Sequence, residues 1–555
     1  MESTKISLEA VLNKRTVIPR WKPPQLAVET DTSDKKRLFS RSKLGAYWIK
    51  YLESEFQLFP TESTAIELFE TASIYGSLEN LPPNVRKLSK KIQSKSDNIT
   101  STSNQNISSH MRLPLVLGEP VDTHEMLARQ EINRLRRLLA ENTGRPFCWS
   151  ELSRNYLVVG EKEKATRSMN AALQLAKHNR YLCRAATRLF VHVDDKDRAL
   201  HILRTEPAIK SDPWLLAAEI ATSTVSQKQS KLIDVGRRLI TSNQFNGNQL
   251  SELAAALGTV ELMNGSIKHA KSMFQASLIA PTDNSLAQAQ WAVDQDTKIV
   301  IPDSAWQTPD SCEAKTLASR QAHDWENAIR TCILWLADEP FSIRPAMLGS
   351  YLCFRPEHVG IAEQFATAGL RCNNANKMLL NNRAVARVYQ GKISEAYKDI
   401  KIALQDNEAR DDAHLLATLG LTAFRSGKPE LGREYYQLSI GWFSHLKERA
   451  SVASAMLYWL REEIRINKLA IPQSIEIAQR ISKMPIAMKH PELFGMAQLL
   501  LEETSADANS SSDIHGSSEF ETPKQEDFFH CAALFDVPEK AKQIASRMEI
   551  SAELD

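Results

Sequence analysis

Small and apolar positions recur along this chain with two nested periods. Within segments of 13–18 residues, apolar side chains return at three- and four-residue intervals, which predicts amphipathic helices rather than strands. Across segments, a small residue returns every 34 positions: Ala165 to Ala199, Gly236 to Ala270, and Ala328 to Ala362 to Ala396. A repeat of that length describes a helix–turn–helix unit, too small to bury its apolar face alone and stable only when stacked on its neighbours.

The residues around each small position keep one register. Trp149, Leu152, Tyr156, Gly160, Ala165 and Ala172 form one set, and Leu257, Gly258, Gly265, Ala270, Phe274 and Pro281 form another. Ala384, Gly391, Ala396 and Ala403 follow, then Gly427, Gly432 and Tyr436. The small residue belongs where two helices cross closely. Gly160, Gly265, Gly391 and Gly427 belong where a first helix ends in the left-handed region. Pro207, Pro281 and Pro340 block extension of the second helix. In this pattern residues 145–450 resemble the tetratricopeptide repeat (TPR) superfamily. The resemblance implies an all-α, TPR-like α-solenoid, a superhelix of stacked helix–turn–helix repeats between helical N- and C-terminal caps.

The register slips in three places. Ala199 to Gly236 is 37 positions, which places an insertion near 223–230, and Ala396 to Gly432 is 36, which places one near Asp411 and Asp412. Ala270 to Ala328 is 58, one repeat plus 24. Residues 284–293 there read as a first helix whose partner is replaced by an insert with a short β-like run at 298–301.

The organisation predicted is a basic extended arm (1–40), a degenerate repeat-like helical cap (41–93) and a polar linker (94–122). A first repeat array (123–293), an irregular insert (294–308) and a second array (309–450) follow. A helical cap (451–501), a disordered acidic linker (502–527) and a helical segment (528–555) complete it. In the cap, Ala65, Phe69 and Ala72 copy the spacing of a second helix.

Charge changes the picture little: 69 Lys and Arg against 67 Asp and Glu argue against wholesale coating of nucleic acid. Residues 1–112 are locally basic, with 17 Lys and Arg against 12 Asp and Glu. Seven cysteines without a C-x-x-C pair predict a cytoplasmic protein, with Cys148, Cys183, Cys332 and Cys353 as buried packing residues. No 18-residue apolar run predicts a membrane span, and no signal-peptide core opens the chain.

Catalytic and cofactor motifs are missing: there is no dinucleotide fingerprint, phosphate-binding loop, zinc-protease helix or nucleophile elbow. The string at 309–315 (PDSCEAK) is superficially similar to a metal-dependent nuclease motif. Asp310 and Glu313 sit at a predicted helix start, where acids favour the helix dipole. His192, Asp194, Asp195 and Asp197 fall in the turn within one repeat and read as a solvated turn. The expectation is therefore no enzyme, no cofactor and no metal.

The resemblance implies that positions 2, 5, 9 and 13 of each first helix face the groove. Arg154 then takes position 9 of one unit, and Arg184, Arg188 and His192 take positions 5, 9 and 13 of the next. Guanidinium forks on adjacent ridges suit carboxylates or phosphates, unless they pair with acids such as Glu151, Glu161 or Asp194. A chaperone-type carboxylate clamp is not reproduced, because Arg154 and Ala185 stand where two of its asparagines belong. Asn381 and Asn382 are not completed by Val385 and Leu421. Ala255, Ala256, Thr259 and Met263 offer a small, apolar stretch suited to a partner helix.

Two functions follow. One is a non-enzymatic scaffold or adaptor that holds a protein partner in its groove, as the regulatory subunit of a multi-protein complex. The alternative is a nucleic-acid-binding protein or sensor using the basic arm and the arginine strip, with Trp21, Tyr181 and Phe190 as stacking aromatics.

Overall fold

The computed structural model describes residues 15–21, isolated positions between 49 and 83, and then 123–141, 143–295, 298–405, 413–466 and 471–510. The polar linker, most of the N-terminal cap, the insertion at Asp411 and Asp412, and the segment after 510 lie outside the described residues.

Among the described residues the chain is helical and contains no strand. It divides into two compact units. The first comprises residues 9–317 with 333–342 and the second residues 318–332 with 343 onward, apart from 1–8. In the first unit the helices are α1 (Thr123–Glu141), α2 (Pro146–Val158), α3 (Lys162–Leu175), α4 (Arg180–His192) and α5 (Lys196–Thr205). Then come α6 (Pro213–Val225), α7 (Ile233–Thr241), α8 (Gly247–Met263), α9 (Ile267–Ser277) and α10 (Asp283–Asp294). The unit boundary falls within α11 (Cys312–Gln321) and α12 (Trp325–Asp338). The second unit continues with α13 (Ile343–Leu352), α14 (Val359–Cys372), α15 (Lys377–Tyr389), α16 (Ile393–Gln405) and α17 (Ala413–Arg425). It ends with α18 (Pro429–His445), α19 (Arg449–Ile466), α20 (Ile471–Ser482), α21 (Pro485–Lys489) and α22 (Pro491–Ser510).

Each repeat is an antiparallel pair, as in α2–α3, α8–α9, α15–α16 and α17–α18, and first helices also pack on first helices, α4 on α6 on α8 on α10. The sequence signals act where they were placed. Gly160, Gly265, Gly391 and Gly427 have φ of 79°, 78°, 76° and 75°. At the first of these the Glu161 amide donates to Tyr156 O (2.8 Å) and the Gly160 amide to Leu157 O (3.0 Å), the paired closure of a left-handed helix end. Ala165, Ala199, Ala270, Ala328 and Ala396 have no exposed surface. A Cβ on Gly236 would come within 3.3 Å of Leu253 and Leu257, so the crossing there needs the smallest side chain. Helix starts are fixed by Pro146, Pro213 and Pro429 in the first turn, by Asp212 and Asn376 as caps, and by capping boxes at Asn246 and Thr282.

Three expectations need correction. Residues 298–301 form no strand; the insert instead holds a 3-10 turn at Asp303–Gln307 and anchors itself by burying Ile299 and Ala305, while Val300 points outward. So short a β-branched run finds no partner strand in an all-helical layer. Helix α22 continues past Leu501 to Ser510, because Glu502 and Glu503 at its supposed end bond Arg355 and Arg461. Cys183, Cys332 and Cys353 are buried, but Cys148 is only half-buried. No helix among the described residues is long and apolar enough to cross a membrane.

Candidate functional site

The inner face of the first unit is built by α4, α8, α10, the start of α11 and the turn that follows α12. Arginines from α4 point into it, and each meets an acid. Arg184 on α4 bonds Glu252 on α8 (2.9 Å) and lies over the Trp214 ring at 4.8 Å. Arg188, one turn further, approaches Glu339 (3.4 Å), donates to Ser342 Oγ (3.1 Å) and covers the Phe341 ring at 5.3 Å. Arg154 on α2 pairs with Glu151 (3.1 Å), which also accepts from the Tyr181 hydroxyl. Burial opposes the charge on Arg154, and Glu151 more than offsets it, so its pKa is raised. Burial likewise raises the Glu252 carboxyl against the opposing effect of Arg184.

His192 sits edge-on to Phe341, ring centroids 5.7 Å apart. Burial, then Arg188 and Lys162, lower its pKa to about 3, so the imidazole is neutral. The folded state then holds fewer protons than the unfolded one between the ordinary histidine value and about 3. Its contribution is fully present above that ordinary value and is lost as pH falls through the window. Between pH 7 and pH 4 the wild type should lose more stability than His192→Gln, by about 1–3 kcal/mol. Urea unfolding at both pH values checks this, and parallel losses in the two proteins would refute it.

The remaining acids of the inner face are taken by the chain's own residues 15–21. This segment has neither helix nor strand and makes a three-residue turn in which the Ile18 amide donates to Thr16 O (2.8 Å). Burial alternates along it: Arg15, Val17, Pro19 and Trp21 are buried while Thr16, Ile18 and Arg20 are partly so. Arg15 is 4% exposed, and its guanidinium spans Glu313 (Nε to Oε1 3.0 Å, Nη2 to Oε2 2.9 Å), Gln288 (2.6 Å) and Asn284 (3.0 Å). Arg20 bonds Glu313 and Glu339 and approaches Asp283 at 3.5 Å. Burial disfavours its charge, but Glu339, Glu313 and Asp283 outweigh burial and raise its pKa well above the ordinary value.

The backbone of the segment is held as well. The Gln288 amide donates to Arg15 O (2.8 Å) and the Asn284 amide to Ile18 O (3.1 Å), both from the same face of α10. Gln288 also donates to Thr259 Oγ1 on α8 (3.0 Å). Trp21 is fully buried and meets Phe341 edge-on at 5.7 Å. Thus Phe341 is shared by His192, Arg188 and Trp21.

Sequence reasoning named Arg154, Arg184, Arg188 and His192 for this face but missed Asp283, Asn284, Gln288, Glu313, Glu339, Arg15 and Arg20. The i,i+4 spacing of Asn284 and Gln288 was a signal available for two of them. Of the small stretch offered to a partner helix, Ala255, Ala256 and Thr259 are buried and Met263 is 64% exposed; a non-helical segment reaches Thr259 through Gln288. Phe190 is a core side chain under Arg198. In the second unit Asn381 accepts from Thr418 and Asn382 donates to Ser350. In the turn after His192, Asp194 takes φ 64°, Asp195 caps α5 and Asp197 pairs with Lys228.

Antiparallel pairs in a 34-residue register, several closed by a left-handed glycine and crossing at a buried small residue, decide the fold. It is a TPR-like α-solenoid. No protein-family model matches the chain, and no curated protein does. Among solved structures it is similar to the APC/C hetero-tetramer Cut9–Hcn1, at 11% identity over 83% of this chain and 93% of that one, with a TM-score of 0.35. It is also similar to yeast Tom70, at 11% identity over 84% of this chain and 98% of that one, with a TM-score of 0.28.

Proposed function

We propose that this TPR-like protein is a non-enzymatic, cytoplasmic interaction scaffold whose first unit receives a non-helical segment of a protein partner along its inner face. The observation that carries this reading is the seating of residues 15–21, with two backbone carbonyls held by amide side chains and alternate side chains buried. That is the geometry in which a groove reads a peptide, by backbone bonds for affinity and alternate pockets for specificity. A role as the regulatory subunit of a larger complex is the form of scaffold such a groove suits.

The nucleic-acid alternative needs cations that face a phosphate backbone. Arg154, Arg184 and Arg188 face Glu151, Glu252 and Glu339 instead, and the two described arginines of the arm face Glu313 and Glu339. None of these contacts favours it.

The test is native co-purification from the source cell with and without nuclease, followed by cross-linking and mass spectrometry. The scaffold reading expects a protein retained after nuclease and cross-linked to α4, α8 or α10. Co-purified nucleic acid without such a protein would overturn it.

A further inference from the structure

The acid-lined groove of the first unit carries a specific ligand chemistry, and this inference rests on the scaffold reading above. Around the seated segment, Asp283, Glu313 and Glu339 converge on Arg15 and Arg20, and Glu339 is also approached by Arg188. Arg15 meets Glu313, and Arg20 meets all three acids. The carboxylates of Glu313 and Glu339 are each 1% exposed, so an unbalanced charge there is costly. Glu313 takes both arginines at once, which fixes their spacing at five residues. The Phe341 ring then receives an aromatic directly after the second arginine.

The segment is tied to this site by side chains far away in sequence: Glu313 lies 298 residues from Arg15 and Gln288 lies 273. The helix pairs α2–α3, α4–α5 and α8–α9 close through their own contacts and do not require it.

We infer that this groove is a recognition site for a non-helical peptide of the form Arg-x-x-x-x-Arg-aromatic. Residues 15–21 are its resident intramolecular occupant, which a partner segment of the same chemistry must displace. A tethered occupant competes at an effective concentration near millimolar, so it lowers the apparent affinity for any partner until it leaves. The arm is thus both the template of the ligand and the gate on its binding.

The experiment uses the full chain and a fluorescein-labelled peptide of residues 14–21 (KRTVIPRW). The variant Arg15→Glu/Arg20→Glu/Trp21→Ala empties the groove, and its helicity and melting establish that it folds. It should bind the peptide at least tenfold more tightly than wild type, with affinity falling as salt rises. Adding Glu313→Gln to that variant should weaken binding at least tenfold. Equal binding by wild type and folded variant, or none by either, would overturn the proposal.

If the variant does not fold, the wild type is digested with trypsin in the presence of excess unlabelled peptide, N-methylated at the bond after each arginine so that trypsin spares it while both guanidinium groups and the bonded carbonyls of Arg15 and Ile18 remain. Faster cleavage after Arg20 supports displacement, and an unchanged rate overturns it. Sedimentation distinguishes the source of the occupant: a monomer supports the intramolecular latch, whereas a dimer that dissociates on Arg15→Glu/Arg20→Glu overturns it in favour of exchange between copies. Failure of the scaffold reading looks different, since the emptied groove would bind the peptide while no protein partner is found in the cell.

Discussion

Arg320→Ala should lower the unfolding free energy of the second unit by about 3–5 kcal/mol. Arg320 on α11 and Glu492 in the first turn of α22 are 172 residues apart and almost fully buried, at 4% and 1% exposure. Their contact is bidentate, with Nη2 donating to Oε2 at 2.9 Å and Nε donating to Oε1. Removing the guanidinium leaves a buried carboxylate without the charge that balances it, and this loss of balance dominates the cost. Two comparisons locate the effect. Arg320→Met with Glu492→Leu removes both charges and should recover most of the loss, because a paired burial and an apolar packing of similar volume differ little. Arg129→Ala breaks an exposed pair with Glu125 and should cost less than about 0.5 kcal/mol. Urea unfolding with constant m-value measures all three. A loss below 1 kcal/mol for Arg320→Ala would show that the pair is relieved by water.

The stack was legible in the sequence because its constraints are local. A closing glycine at Gly160 or Gly427 acts within one turn, and a small residue at Ala165 or Ala396 acts between helices adjacent in the chain. The inner face was legible only by half. The register of α4 placed Arg184 and Arg188 on one ridge, and the nearest acid was rightly offered for Arg154, which pairs with Glu151. The acids that meet the other two, Glu252 and Glu339, come from other repeats and leave no trace in local spacing. Glu313 shows the same limit. Its place at a helix start was readable, whereas its bonds to Arg15 and Arg20 depend on a segment some three hundred residues away. The β-like run at 298–301 misled because a run of β-branched residues makes a strand only where a neighbouring strand can pair with it. In residues 15–21 burial alternates although the residue types do not, because polar Arg15 is buried by the groove's acid and amides while apolar Ile18 stays partly exposed.

Phe341→Ala should cost about 3–5 kcal/mol and release the arm at the same time. The ring is fully buried, with Trp21 edge-on at 5.7 Å, His192 edge-on at 5.7 Å and the Arg188 guanidinium over it at 5.3 Å. No single smaller side chain can serve three such neighbours, so the cavity would not close by small shifts. Two measurements separate packing from latching. Thermal or urea unfolding reports the packing loss of the unit. Limited trypsin digestion at Arg15 and Arg20 reports release, because a seated segment cannot enter a protease site until it leaves the groove. Trp21→Ala should free the arm with a smaller loss of stability, since the ring contacts of His192 and Arg188 remain. The double variant Trp21→Ala/Phe341→Ala should show about 0.5–1.5 kcal/mol of coupling between the two rings. Additive effects, with arm cleavage unchanged by Phe341→Ala, would mean that the two arginines alone seat the segment. The aromatic would then fall out of the ligand description, leaving recognition to the carboxylates of Glu313 and Glu339.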